Sequence, residues 1–449
     1  VVALLAMVGS CRAPEARAVE RSGEPNSSAL APPPDDAETT ASMQRRGGAA
    51  LARVPALVKR VAEVRGLGFT KDVPIGYQDE ADARRQLLDE NGGDLQAAVV
   101  AQIAAAMVHL GLLPRAMDLS RYLVDATVAM AGADYSAASK RIFVRQVLDD
   151  GRGPVEEQRA AEQQFDESIA HELTHALQDQ RFDLSAYLAP TLDADALAAR
   201  DYVVEGEAMI VGWACARGVA VSSEALAREF ERSAAIDHLA EMAKDAQPDV
   251  PLVIVGPKLD VYYGGPIVIL RAYQRGGWGE VARLYAHPPT STAQVLHPDA
   301  KLFPTRREPR RIEIPLFAGY DDVHADVIGE LGWRLYFMQW HTDDPAVAAA
   351  GWAGDRYRVM RRADGVLVGA IVTTWDRPAD ATEFVEAYAA SVAARCPGEL
   401  AADPRAVAGA RRCDGHRIFL RRQGTRVFIV DGADDAALLD RLIASARIE

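Results

Sequence analysis

Cysteine is scarce in this chain of 449 residues. There are four, at positions 11, 215, 396 and 413, and no two have the spacing of a metal-binding pair, which sets aside a cysteine-ligated zinc or iron–sulfur centre. Positive charge is also in deficit. Lys and Arg number 50 against 64 Asp and Glu, for a net charge of −14, which argues against nucleic acid or an anionic membrane surface as partners. The apolar run at the amino terminus, Val1 to Val8, is too short to span a bilayer. No internal repeat is present, which sets aside a solenoid, and only residues 12 to about 50 are compositionally biased. What the chain does have is 49% hydrophobic residues, enough for two or three domains with a sizeable core.

The most informative stretch is His171-Glu172-Leu173-Thr174-His175. A helix advances about 100° per residue, so residues four apart share a face. Two imidazoles so placed reach one zinc ion, with Glu172 beside them to take a proton from a zinc-bound water. With this chain's His and acidic fractions, such a motif arises by accident on the order of once in a hundred sequences. Its flanks strengthen it. From Ser168 to Leu177 the only charged residue beyond the histidines is Glu172, as suits a buried helix whose polar atoms aim at a metal. Residues 154 to 180 read as one long helix. Pro154, Glu156 and Glu157 suit its first turn, and Phe165, Ile169, Leu173 and Leu177 form an apolar row at i+4 spacing.

A catalytic zinc takes three protein ligands and keeps one position open. Thirty residues after His175 a helical run carries Glu205-Gly206-Glu207-Ala208. Acidic residues inside an apolar helix are costly unless paired or metal-bound. Glu205 and Glu207 lie about 200° apart around the helix, so only one faces the metal. Gly206 is expected to let this helix pack closely on the motif helix.

Residues His171 to Gln180 followed by Glu205-Gly206-Glu207-Ala208 resemble the gluzincin metallopeptidases, whose third ligand is a glutamate on a later helix. The second segment is similar to the Glu-Gly-x-Ala element of the aminopeptidase branch, where the glutamate before the glycine binds zinc. The resemblance therefore selects Glu205. Tyr262-Tyr263-Gly264-Gly265 and Pro288 to Pro298 resemble segments of bacterial relatives with the same zinc helix, and the likeness covers roughly residues 55 to 345. One position departs from the pattern. Many gluzincins carry, four residues after the third ligand, an acid that orients a zinc-bound histidine; here it is Met209. Asp179 or a backbone carbonyl is expected to serve instead.

The first residues look like the end of a signal peptide, and Val8-Gly9-Ser10-Cys11 resembles a bacterial lipobox whose cysteine becomes acylated. The rival for this segment is a plain secretory signal with a chance cysteine. Residues 12 to 50, rich in Ala, Pro, Ser, Glu and Arg, read as a disordered tether. Either way the protein is expected to be exported, with membrane attachment through lipid on Cys11. Cys215 is expected to be an inert buried thiol, and Cys396 and Cys413 to be candidates for a disulfide.

The expected fold class is α+β: a mostly helical gluzincin-like domain with a small sheet at residues 51–345, and a small α+β domain at 350–449. Helices are expected over 52–65, much of 80–130, Ala194–Ala216, Glu224–Asp245 and from near Gly265 to Gln274. A strand is expected at Lys140–Arg145, and the resemblance implies that such a strand pairs by its edge with extended substrate. In the last hundred residues the order reads β-β-α-β-β-α, and Gly351 to Arg356 reads as a tight turn with an ion pair. Tyr262, Tyr263 and His297 are candidates for stabilising an oxyanion, and Tyr263 and His297 are carried forward. The expected function is hydrolysis of peptide or protein substrates, with His171, His175 and Glu205 holding Zn2+ and Glu172 as base. The alternative is a non-enzymatic envelope lipoprotein keeping a zinc-binding scaffold for protein binding.

Overall fold

A computed structural model describes residues 51–90, 93–114, 117–119, 121–124, 132–145, 154–233, 250–340, 342–396, 409–413, 416–434 and 436–449. The expected signal segment, lipobox and tether lie outside these residues, as does the end of the helix expected over Glu224–Asp245. The chain begins with α1 (Val54–Arg65), β1 (Ile75–Tyr77), α2 (Glu80–Glu90), α3 (Gly93–His109), β2 (Ala133–Ser136) and β3 (Arg141–Val144). The long helices α4 (Val155–Phe182), α6 (Ala194–Arg217) and α8 (Leu252–Ala286) follow, with the shorter α5 (Leu184–Tyr187) and α7 (Glu224–Ser233) between them. After α9 (Thr292–Leu296) come β4 (Ile312–Glu313), β5 (Tyr320–Asp326), α10 (Gly329–Gln339) and α11 (Pro345–Ala349). The chain ends with β6 (Trp352–Arg362), β7 (Leu367–Trp375), α12 (Pro378–Arg395), β8 (Gly409–Cys413), β9 (His416–Gln423), β10 (Arg426–Ala433), α13 (Ala437–Ser445) and β11 (Arg447–Ile448). The architecture is α+β.

Helix α4 starts after Pro154 with Glu156 and Glu157 in its first turn, complementing the positive end of the helix dipole. It stops at Asp183, whose φ of 54° ends the helical path. From Ile169 to Asp179 every residue is buried, so this helix is enclosed on all sides at the motif and striped only earlier. Helix α6 is capped by Asp193, whose carboxylate accepts from the Ala196 N–H at 2.8 Å, and closes at Gly218 with φ 67°.

Gly206 does not face the motif helix as expected. A Cβ at Gly206 would collide with the backbone of Gly265 in α8, and one at Gly265 would lie 2.7 Å from the Tyr202 carbonyl oxygen. The two glycines therefore form the crossing of α6 with α8. It is Gly212, two turns further on, that fits against α4, where a Cβ would lie 2.9 Å from the Glu167 carbonyl oxygen. Helix α8 begins well before the expected Gly265. Pro257 and Pro266 lie within it, and the chain departs from helical geometry only at Gly276 and Gly277, the latter with φ 64°. By length and composition α8 is apolar enough to cross a membrane, yet 78% of its most apolar window is buried inside the protein.

Strands β1, β3 and β2 form a small sheet in that order, β1 parallel and β2 antiparallel to β3. The strand expected at Lys140–Arg145 is thus the central one, bonded on both sides, so it offers no edge to substrate. Helix α1 and this sheet pack Leu57, Val61, Ile142 and Val144 against Phe165, Ile169, Leu173 and Leu177 of α4.

The second sheet is antiparallel with order β5-β6-β7-β10-β9-β8. Alternation divides its side chains. Val368, Ala370, Val372, Phe428 and Val430 pack toward β4 and α13, while Ile371, Val427 and Ile429 join α10 and α12 in the large central core. Strand β5 lies upstream of residue 350, so this sheet takes in chain from before the expected boundary. Gly351 to Arg356 is not a tight turn. Strand β6 starts at Trp352 with a register shift between Trp352 and Gly354. Among the described residues Asp355 forms no ion pair; it accepts from the indoles of Trp333 and Trp352 at 2.9 and 2.8 Å and from the N–H groups of Ile328 and Gly329. Strand β8 was not expected. Cys396 is disulfide-bonded and Cys215 is free and buried; the side chain of Cys413 lies outside the described residues.

Candidate metal centre

Helix α4 places His171 and His175 one turn apart, and α6 crosses it so that Glu205 meets both. The two Nε2 atoms are 2.9 Å apart, and Glu205 Oε2 lies 3.1 Å from that of His171 and 3.4 Å from that of His175. The three residues are 5%, 6% and 4% exposed. Three donors on one zinc at about 2.0–2.1 Å with tetrahedral angles stand roughly 3.4 Å from one another. The donor set, two imidazoles and a carboxylate drawn together at 2.9–3.4 Å, could hold such a metal ion.

The structure also separates the two glutamates. Both oxygens of Glu207 are committed: Oε1 to the Arg65 guanidinium and Oε2 to the Tyr285 hydroxyl at 2.6 Å. Glu205 has Oε2 turned to the imidazoles and Oε1 held by the Lys258 ammonium of α8 at 3.1 Å. Glu172 is fully buried, and its Oε2 accepts from the Tyr135 N–H of β2 at 2.8 Å.

Asp179 does not orient an imidazole. It accepts from the Tyr135 hydroxyl at 2.6 Å, Lys140 at 2.7 Å and the Leu184 N–H at 3.1 Å, tying α4 to the small sheet and to α5. The acceptor opposite His175 is Gln178 Oε1, 2.9 Å from Nδ1.

Electrostatics follow from burial with charge nearby. Burial drives the His171 imidazole down to about 4. Burial works against charge on His175 too, but Glu205 and Glu172 beside it prevail and push it up to about 9. Burial likewise opposes ionisation of Glu205, yet Lys258 and His175 hold its carboxyl well below the usual range. Asp201, one turn before Glu205, is raised by burial to about 7 against the pull of Lys258. A dication held here would compete with a proton for His175 and would face Lys258 across Glu205.

The other two expected residues sit apart from this set. Tyr263 is buried with Val255, Leu259 and Tyr262, and burial raises its phenol to about 12. His297 pairs with the buried Glu330 of α10. Among the described residues no hydrogen bond or ring contact joins either one to the ligands. It is Tyr262 whose ring lies near His171, at 6.3 Å between centroids, with Lys258 Nζ 5.0 Å from the same ring.

Sequence reasoning missed Gln178, Lys258, Tyr285, Arg65 and Tyr135. Only Lys258 had a visible signal, a lone cation in the apolar run Leu252 to Tyr263. Gln178 stands three residues after His175 on the same helix, and Tyr285, Arg65 and Tyr135 arrive through tertiary contacts between distant elements.

Residues 315–442 match a family described as a domain of unknown function (DUF8575). The match spans β5 to α13 and contains none of the metal-centre residues. No curated protein and no solved structure matches the chain.

Proposed function

We propose that this chain is a zinc-dependent peptidase of gluzincin-like type, with His171, His175 and Glu205 as the metal's protein ligands. The observation that carries the reading is the convergence of two Nε2 atoms and Glu205 Oε2 within 3.4 Å of one another beside the buried Glu172. Bound zinc supplies Lewis-acid chemistry, polarising a carbonyl and making water more acidic. Glu172 takes a proton from the attacking water and returns it to the leaving amine. The Tyr135 N–H fixes that carboxylate by one oxygen, and Lys258 fixes Glu205 by the oxygen that faces away from the imidazoles. Peptide or protein is the proposed substrate class. The disulfide-bonded Cys396 supports the proposed extracytoplasmic location.

Burial favours a second reading, a structural zinc in a non-enzymatic envelope protein, because closed sites suit structural metals. Glu172 distinguishes the two. A structural site needs both imidazoles and Glu205 but has no use for a second, fully buried carboxylate beside them. Zinc-loaded Glu172→Gln is expected to keep the metal content of the parent and to lose cleavage of a peptide library by 100-fold or more, on the order of what a general base contributes. Equal cleavage by parent and variant, or none by the parent, removes the peptidase reading.

A further inference from the structure

The hydrogen bonds from His175 back to Glu207 run in one direction. The Gln178 amide nitrogen uses one hydrogen on the Val204 carbonyl oxygen at 2.9 Å and the other on the Tyr285 hydroxyl oxygen at 2.8 Å. Turning the amide over would set Oε1 against the Val204 carbonyl, acceptor against acceptor, so one orientation is selected. Its oxygen is then left to face His175 Nδ1 at 2.9 Å, and Nδ1 must carry the hydrogen. Tyr285 accepts from Gln178 and spends its own hydrogen on Glu207 Oε2 at 2.6 Å. Glu207 is held in turn by Arg65, whose guanidinium lies 4.3 Å from the Trp278 ring centroid. Gln178, Glu207 and Arg65 are each 2% exposed or less, so no solvent competes for these bonds.

We propose that Gln178, locked by Tyr285 and the Val204 carbonyl, is the positioning residue of His175. It fixes the tautomer and ring angle that turn the Nε2 lone pair toward His171 Nε2 and Glu205 Oε2. Glu207 thus serves the metal from behind, through Tyr285 and Gln178, rather than as a ligand. The donor direction, from His175 through Gln178 and Tyr285 to Glu207, makes the chain a unit: removing one link frees the next to turn. The proposal rests on the metal-binding reading above.

The test uses the full chain, stripped with chelator and titrated with Co2+ as a spectroscopic probe and with Zn2+ by competition. Gln178→Met keeps the side-chain length and removes the amide. Tyr285→Phe keeps the stacking on Phe182, at 4.1 Å between ring centroids, and removes only the hydroxyl. Gln178→Met is expected to weaken metal binding about 10–100-fold, the usual loss for a group that orients a ligand, and to alter the visible Co2+ bands. Tyr285→Phe is expected to weaken it by a smaller factor. The double variant should bind no more weakly than Gln178→Met alone, because both act through one amide. Parental affinity and Co2+ spectrum in the folded variants, or losses that multiply in the double variant, overturn the proposal. If Gln178→Met does not fold, unchanged affinity in Tyr285→Phe overturns it alone. A parent chain that takes up no metal overturns the metal-binding reading itself, a result distinct from a parent that binds and variants that bind equally.

Discussion

Lys258 shows how one residue shapes this site. Its ammonium is buried against Glu205, so Lys258→Met leaves a buried carboxylate short of its counter-charge. Removing one partner of such a pair costs about 3–5 kcal/mol, and the metal-free variant should melt well below the parent. Zinc then supplies the missing positive charge without having to face a neighbouring cation. Its addition should raise the melting temperature of Lys258→Met by more than it raises that of the parent; an equal or smaller rise contradicts this account. Asp260, on the same helix, gives a pH signature. Burial pushes its carboxyl up to about 6 against the pull of Arg334, so the folded state holds the proton more tightly than the unfolded chain. Its contribution to stability is full below about pH 4 and is lost as pH rises through about 6, on the order of 3 kcal/mol in all. Asp260→Asn should remove that dependence. Urea midpoints of metal-free parent and variant should therefore diverge between about pH 4 and 7 in the variant's favour, and a constant gap would count against it. Sequence alone exposed His171, Glu172 and His175, because helical spacing is local information. It could not reveal Gln178 as the partner of His175, since that role depends on Val204 and Tyr285 arriving from other helices.

At the scale of elements, the crossing of α6 with α8 decides where Glu205 stands. Gly206→Ala gains about 1 kcal/mol of helix propensity, but its Cβ meets the Gly265 backbone, which cannot move aside as a side chain can. Overpacking of this kind costs about 1–3 kcal/mol and more where backbone must shift. The net expectation is a destabilised chain with weakened zinc uptake, measured by melting and metal titration together; a variant as stable as the parent and with its zinc affinity contradicts the packing. Most elements were legible in the sequence, including α4, α6, α12 and the hairpin β9–β10, whose periodicity or flanking turn residues are strong. Three misreadings have physical causes. Helix α8 was expected only from near Gly265, yet it begins at Leu252 and holds Pro257 and Pro266 within it, where its surroundings bury it. Gly351 and Gly354, with φ of 79° and 148°, read as a turn but belong to the irregular start of β6. Strand β8 is short and its sequence, Gly409 to Cys413, lacks the alternation that marks a half-buried strand.

Across the whole molecule, a metal held by His171, His175 and Glu205 would be linked to the fold. A ligand that binds only the folded chain stabilises it by about 4 kcal/mol at a thousand times its dissociation constant. Chelation should lower the melting temperature by several degrees, and Glu205→Ala should melt the same with and without chelator. The order of expected elements exposed the α+β class, and the composition the capacity for a large core. It did not show that β5 joins the carboxy-terminal sheet across residue 350, because pairing between distant strands leaves no local mark. The central claim, that His171, His175 and Glu205 together hold one zinc, is tested most directly by elemental analysis of purified full-length protein. One zinc per chain is predicted for the parent and for Glu172→Gln, and far less than one for Glu205→Ala and His171→Ala. Zinc absent from the parent, or undiminished in Glu205→Ala, would contradict it.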